Sequence, residues 1–327
     1  MLTLVFYTNS MRFLSILLIL SLLLSCKKDE PTPPVEDDGL NYVVLDYSIN
    51  GLYFDESYQH DTLFGGPLMS PQLLEASGIC VSRSNPSVLW SHNDSGNPNR
   101  LFAIGNKGEN LGYYNLTEAG ARDYEDICIG PGPIEGVNYI YLADIGDNDA
   151  QYSYIIIYRF PEPDATALDS GGVYDINSED IERIEFIYPD GPRDAETLMI
   201  DPWTKDLYIV SKKDYRSLIY KAAYPQAVGV RTELEKIAQL PFNWTLAGDI
   251  SADGTQIAIK VFNRIYNWNR NAGESVLDAL KRQPNLLPYI LEPQGEAFGW
   301  TEDGNGYFTL SEKSGTPDPE LYFYKKN

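Results

Sequence analysis

The sequence predicts an all-β chain folded as a single β-propeller of four-stranded antiparallel blades, five of which can be counted. Three observations carry that prediction. The hexamer G-x-R-D-x-E occurs twice, at residues 120–125 and 191–196, and each copy runs into an apolar, strand-like segment. A module of apolar strand, turn and aromatic-rich second strand recurs five times, with an acid at each entrance: Glu75, Glu125, Glu196, Asp249 and Glu296. The spacings between those acids, 50, 71, 53 and 47 residues, are close to the length of a propeller blade, with one insertion.

The chain begins with a different kind of segment. Arg12 precedes an apolar run over residues 13–24 that ends in Leu-Leu-Ser-Cys at Cys26. A membrane span needs roughly twenty apolar residues, so this run reads as a lipoprotein signal peptide over residues 1–25, removed to leave the Cys26 thiol carrying lipid. Residues 26–41, with Pro31, Pro33, Pro34 and several acids, read as a flexible tether, and residues 42–327 as the propeller domain. Attachment to the membrane is therefore expected through the lipid on Cys26. Lys27, Lys28, Asp29 and Glu30 resemble the charged tag that carries lipoproteins to the outer surface in Bacteroidetes, which implies an outer-membrane lipoprotein exposed on the cell envelope.

Within the domain, first strands are expected at 75–81, 124–129, 195–200, 248–251 and 295–300. Each is followed by turn chemistry such as Asp201-Pro202 or Asp253-Gly254. Second strands follow at 88–90, 139–142, 207–210, 257–259 and 307–310. The insertion runs from the strand at 154–158 through Pro161-Glu162-Pro163 and Gly171-Gly172 to a strand near 184–188. A sixth blade is the alternative, hidden in that insertion or in residues 42–66. The last module shows three strands, so a strand from the N-terminal side, placed at 42–49, is expected to close the ring and remove the exposed edges.

An antiparallel blade puts the start of its first strand and the end of its second on one face. The entrance acids should therefore share a mouth with the turns at 92–96, 144–148, 212–214, 260–264 and 312–313. The net charge of −22 argues against nucleic acid as a partner and suits cation binding or solubility. Carboxylates from several blades, Glu75, Glu125, Glu196, Asp249 and Glu296, supply the hard oxygen donors that Ca²⁺ takes six to eight at a time. Arg122 and Arg193 offer a rival means of neutralisation, each as a bidentate staple to a neighbouring blade's carboxylate. Together with Asp123, Asp194, Lys212 and Lys260 they also form a ligand-binding set, in which Arg193, Lys212 and Lys260 are able to hold an anionic group such as phosphate or carboxylate.

His92, one of two histidines, lies in a polar turn on the expected functional face and is the best single candidate for acid or base work. A turn histidine bonded to backbone is the plainer reading. No G-x-S-x-G elbow is present. Cys80 and Cys128 occupy matching positions in successive modules and read as small core residues, with a disulfide as the alternative. Most of the 24 tyrosines and 5 tryptophans should pack between blades, and a remainder at a mouth would suit a sugar or a protein surface.

The phrases Glu-Ala-Ser-Gly-Ile at 75–79, His-Asn-Asp-Ser-Gly at 92–96, Asp-Ile-Gly-Asp-Asn at 144–148, Arg-Asp-Ala-Glu at 193–196 and Gly-Glu-Ala at 295–297 resemble a group of exported bacterial propellers. More distantly they are similar to phytase-like and SdiA-regulated propellers, and the resemblance spans most of residues 75–325. It implies the fold strongly and the activity weakly, because propellers host unrelated functions. In phytase-like relatives the channel mouth holds calcium and phosphate, yet no run here matches such a site ligand by ligand. The expectation is a monomer that binds a small molecule, glycan or protein at one mouth. The alternatives are a calcium-dependent phosphoester hydrolase and a carbohydrate-binding or carbohydrate-cleaving propeller.

Overall fold

The computed structural model describes residues 41–60, 63–168, 171–315 and 318–327, so the signal segment, Cys26 and nearly all of the tether lie outside the described residues. Residues 41–327 form one compact unit. It is a five-bladed β-propeller of small, mainly antiparallel sheets.

Blade 1 runs outward through Ala76–Val81, Val88–Asn93, Arg100–Gly105 and Asn110–Leu116. Blade 2 uses Tyr124–Pro131, Asn138–Asp144, Ile155–Pro161 and Glu182–Ile187. Blade 3 uses Ala195–Ile200, Leu207–Ser211, Leu218–Ala222 and Glu235–Gln239, and blade 4 uses Thr245–Ile250, Gln256–Val261, Arg264–Asn269 and Asn285–Leu287. Blade 5 has Gly295–Trp300, Gly306–Ser311 and Glu320–Lys325. The five innermost strands neighbour one another in sequence order, and the fifth returns to the first.

Each sheet is sandwiched between two others, so its inner strands are buried on both faces and read as apolar runs rather than alternating ones. Ile155, Ile156 and Ile157 show this directly. The core is correspondingly split into five aromatic-rich clusters, one at each blade-to-blade contact; between blades 4 and 5 it holds Phe298, Trp300, Tyr307 and Tyr324. The Tyr307 and Tyr324 rings stack there at 4.7 Å.

Two expectations need correction. The ring is closed by Leu63–Pro67, antiparallel to Glu320–Lys325 with Leu63 opposite Phe323, and not by residues 42–49. Val43–Val44 instead lies parallel to Glu235–Gln239 at the outer edge of blade 3, and Leu45 beside it is buried in the core between blades 3 and 4. The closing strand contains Gly65 and Gly66 because the chain approaches other backbone closely: a Cβ on Gly66 would lie 2.2 Å from the Lys107 carbonyl oxygen. The insertion forms no sixth blade. It supplies the fourth strand of blade 2 and, through Gly172–Ile176, a parallel fifth strand that covers the edge of blade 1.

Candidate ligand-binding mouth

Strand register assembles the mouth. Ala76 pairs with Asn93, Tyr124 with Asp144, Ala195 with Ser211, Thr245 with Val261 and Gly295 with Ser311, so the start of every inner strand meets the end of its second strand. In all five pairs the register slips by one residue immediately afterwards, a β-bulge repeated around the ring. The bulged residues are Ser77, Glu125, Glu196, Leu246 and Glu296. Only three of the five sequence-assigned acids are therefore equivalent. Glu75 lies two residues before the bulge, at the rim, where it accepts from the Asn97 amide. Asp249 lies three residues beyond it, buried, with its carboxylate accepting the Trp300 N–H of blade 5 at 3.0 Å and burial pushing its pKa up to about 6.

Carboxylates from three blades converge at this face. Asp94, Asp123 and Glu125 each present an oxygen within 4.8 Å of the others, and Glu125, Asp194 and Glu196 form a second such group. Lys212 pairs with Glu196, and Lys213 reaches Asp194 at 2.9 Å and Asn148 of blade 2. Among the described residues no lysine or arginine makes an ion pair with Asp94, Asp123 or Glu125. Burial and crowding, opposed at Asp94 and Glu125 by the more distant Lys212, favour protonation. Burial and then Asp94 push Asp123 up to about 7, while burial, Glu196 and Asp94 push Glu125 well above the usual carboxylate range. Glu196 is raised by burial although Lys212 opposes it, and Glu312 is raised to about 8 by burial and the charge of Glu296. Burial pulls Lys212 down, but Glu196 outweighs this and holds it above its ordinary value.

The loop after Asp144 wraps the acids. A Cβ on Gly146 would fall 2.1 Å from Glu125 Oε1 and 2.5 Å from Asp123 Oδ2, so any other residue here would push these two carboxylates out of place. Asp147 accepts the N–H groups of Gln151 (2.8 Å) and Tyr152 (2.7 Å), which makes it a turn former, and its own N–H donates to Asp194 at 2.9 Å.

The two arginines of the repeated hexamer brace their own blades and do not staple neighbours together. Arg122 donates to the Asp144 carboxylate at 3.4 Å and to the Tyr154 carbonyl at 3.1 Å, and its guanidinium lies over the Tyr152 ring at 4.5 Å. Arg193 pairs with Asp190 at 2.6 Å and with Asp214 at 3.0 Å. The reason is reach: each guanidinium folds back onto turns of its own blade, leaving Asp123 and Asp194 to face the channel.

His92 is wholly buried between blades 1 and 2, edge-on to Tyr124 at 5.9 Å. Its Nδ1–H donates to the Asn93 carbonyl at 3.1 Å, and burial lowers its pKa to about 4. A Cβ on Gly78 would meet its Nε2 at 2.7 Å, so the ring packs over a glycine and does not face the mouth. Lys260 is equally buried. Its ammonium donates to the Gly295 carbonyl and sits 4.8 Å from the Tyr289 ring centre, and burial lowers its pKa to about 8 against the pull of Glu292 and Glu296. Cys80 and Cys128 are free, buried thiols, one in the core between blades 1 and 2 and the other between blades 2 and 3, and burial raises both pKa values.

Residues not singled out from the sequence complete the region. Asp94 and Glu312 come from second-strand turns, where a lone acid looks like any solvated turn residue. Asp126 is fully buried, accepts the Leu198 N–H of blade 3 at 2.9 Å, and ties blades 2 and 3 across the channel. Trp244 and Phe262 stand about half exposed around a cleft of about 330 Å³ beside Glu296. A further cleft of about 510 Å³ lies at the opposite face between blades 1 and 5. It contains Arg83 and Lys107, and its acids, Glu302 and Asp303, are exposed turn residues.

No family model and no curated protein matches the chain. Among solved structures it is similar to the Dos1 propeller, at 10% identity over 76% of this chain and 68% of that one with a TM-score of 0.36. It is also similar to the RRP9 WD40 repeats, at 9% identity over 76% of this chain and 79% of that one with a TM-score of 0.38. At such identities the likeness concerns the fold alone.

Proposed function

We propose that this propeller is a binding protein that receives a cationic group at its acidic mouth, with Ca²⁺ the inorganic ion its donors suit. The Asp94–Asp123–Glu125 group carries the reading. Ca²⁺ binds oxygen at roughly 2.3–2.6 Å, so two oxygens on one ion lie at most about 5 Å apart, and these three carboxylates meet that limit without any basic partner. Burial and neighbouring acids raise the pKa of Asp123 to about 7 and hold that of Glu125 well above the usual carboxylate range, and a bound cation would favour the ionised forms instead. Asp94, Asp123 and Glu125 would hold the ion, which could in turn bridge to an anionic or hydroxyl-bearing ligand. With lipid on Cys26, the domain would display this mouth on the cell envelope.

Binding is preferred over hydrolysis because His92 is sealed between blades and Arg122 and Arg193 are committed to carboxylates of their own blades. The test is a thermal melt in CaCl₂ and in EGTA. A ligand of the native state raises the midpoint, so equal midpoints at millimolar Ca²⁺ would refute the metal site.

A further inference from the structure

The cleft beside Glu296 has a composition unlike the rest of the mouth. Trp244, Leu246 and Phe262 of blade 4 form apolar walls, and Lys212 and Glu296 form its polar side. Trp244 and Phe262 are 52% and 50% exposed, whereas Trp90, Trp268 and Trp300 are buried at blade contacts. Trp244 holds φ = 60°, a left-handed conformation that β-region residues avoid, and its N–H donates to the Lys212 carbonyl at 2.9 Å. The backbone is thus fixed at the rim, and the indole is half exposed with the Lys212 ammonium 5.8 Å from its ring centre. A volume of about 330 Å³ lies at the small end of the range for ligand pockets.

Charge selects the occupant. Lys212 is paired with Glu196; Glu296 makes no ion pair among the described residues, and although Lys212 and Lys260 both favour its ionised form, burial and Asp94 outweigh them and hold its pKa above the ordinary value. The carboxylates of Asp94, Asp123, Glu125 and Glu312 surround the same mouth, so the local field favours a cation. Trp is also the best aromatic face for a cation.

We infer that the Trp244–Phe262 cleft binds a small organic cation, an amine or quaternary ammonium on an apolar body, with the body against the two rings and the charge at Glu296. This rests on the reading of the mouth as a cation-receiving face, but it uses residues other than the Asp94–Asp123–Glu125 group. The two therefore fail separately.

The experiment titrates the full domain, in EGTA, with cyclohexylmethylamine, its neutral isostere cyclohexylmethanol, and methyl glucoside, following tryptophan emission and calorimetric heat. The expected result is saturable binding of the amine at least tenfold tighter than the alcohol, weakened by added salt. Glu296→Gln should remove the amine's advantage and leave the alcohol unchanged. Trp244→Ala should weaken binding at least tenfold. Trp244→Phe, which keeps a ring, should retain the heat and lose most of the emission change. Equal binding of amine and alcohol, preference for the glucoside, amine binding indifferent to Glu296→Gln, or no binding of the amine at 10 mM would each overturn the inference. An EGTA-insensitive melt with amine binding intact would remove the metal site alone.

Discussion

Two acid clusters at opposite faces of the ring have opposite fates. At the face opposite the mouth, Asp201 follows the inner strand of blade 3 and meets Arg270 of blade 4 in a bidentate pair, with contacts of 2.8 and 2.9 Å and both side chains about 1% exposed. Trp203 covers the guanidinium at 3.9 Å, and Trp203 Nε1–H reaches the Asp253 carbonyl. At the mouth, Asp94, Asp123 and Glu125 lie as close together but make no ion pair among the described residues, and burial first, then neighbouring acids, raise their pKa values. One cluster is complete without a ligand and joins two blades. The other makes no such pair, and a cation, as proposed above, would supply the missing charge.

The largest test of that contrast is Arg270→Ala. Removing one partner from a fully buried ion pair leaves an uncompensated carboxylate, so chemical denaturation should show a loss of about 3–5 kcal/mol. A loss under about 1 kcal/mol would mean that Asp201 is not the staple described. Next, Ca²⁺ at a hundredfold excess over its Kd should add about 2.7 kcal/mol to stability. Glu125→Gln should reduce the affinity at least tenfold, about 1.4 kcal/mol, while raising the midpoint of the metal-free protein at pH 8.

The same cluster sets a pH dependence. Asp123 and Glu312 have folded pKa values raised to about 7 and 8, and Glu125 and Glu196 are raised as well. In this range the folded state binds more protons than the unfolded one, so stability falls as pH rises toward the folded values. His92, lowered to about 4, acts below pH 6.5 with the opposite sign, because protonation there favours the unfolded chain. Lys260, lowered to about 8, matters only above that value. Between pH 6.5 and 8 the melting midpoint of the metal-free protein should therefore decline, and saturating Ca²⁺ should flatten the slope. A midpoint that climbs across that window would show that the acids are ionised already.

The propeller was legible because blades repeat: five apolar inner strands, five turns and five apolar second strands, four of them with aromatics, are visible as a period even where individual residues differ. Bulge position was not. Ser77 and Leu246 occupy the same slot as Glu125, Glu196 and Glu296, so chemistry varies where backbone geometry is constant, and reading acids alone drew Glu75 and Asp249 into the wrong register. The closing strand escaped notice because Leu63–Pro67 has two glycines and a proline in place of an alternating pattern. Asp94 and Trp244 become site residues only through neighbours distant in sequence, and no local spacing announces that. The partners of the hexamer arginines, Asp144 for Arg122 and Asp190 and Asp214 for Arg193, sit in turns and connections whose orientation the sequence does not reveal.

The smallest expected effect therefore belongs to the most conspicuous motif. Arg193 is 11% exposed and its partners Asp190 and Asp214 are 33% and 28% exposed, so water shares in neutralising all three. Lys236 also reaches Asp190 at 3.1 Å and remains when the guanidinium is lost. Arg193→Ala should cost about 1 kcal/mol, well below Arg270→Ala, because partly exposed pairs contribute little. It should also leave the Ca²⁺-induced rise in midpoint unchanged, since Asp123 and Glu125 belong to blade 2. A loss as large as that of Arg270→Ala would make the two faces energetically alike and dissolve the contrast; an abolished Ca²⁺ response would bring the arginine into the binding site.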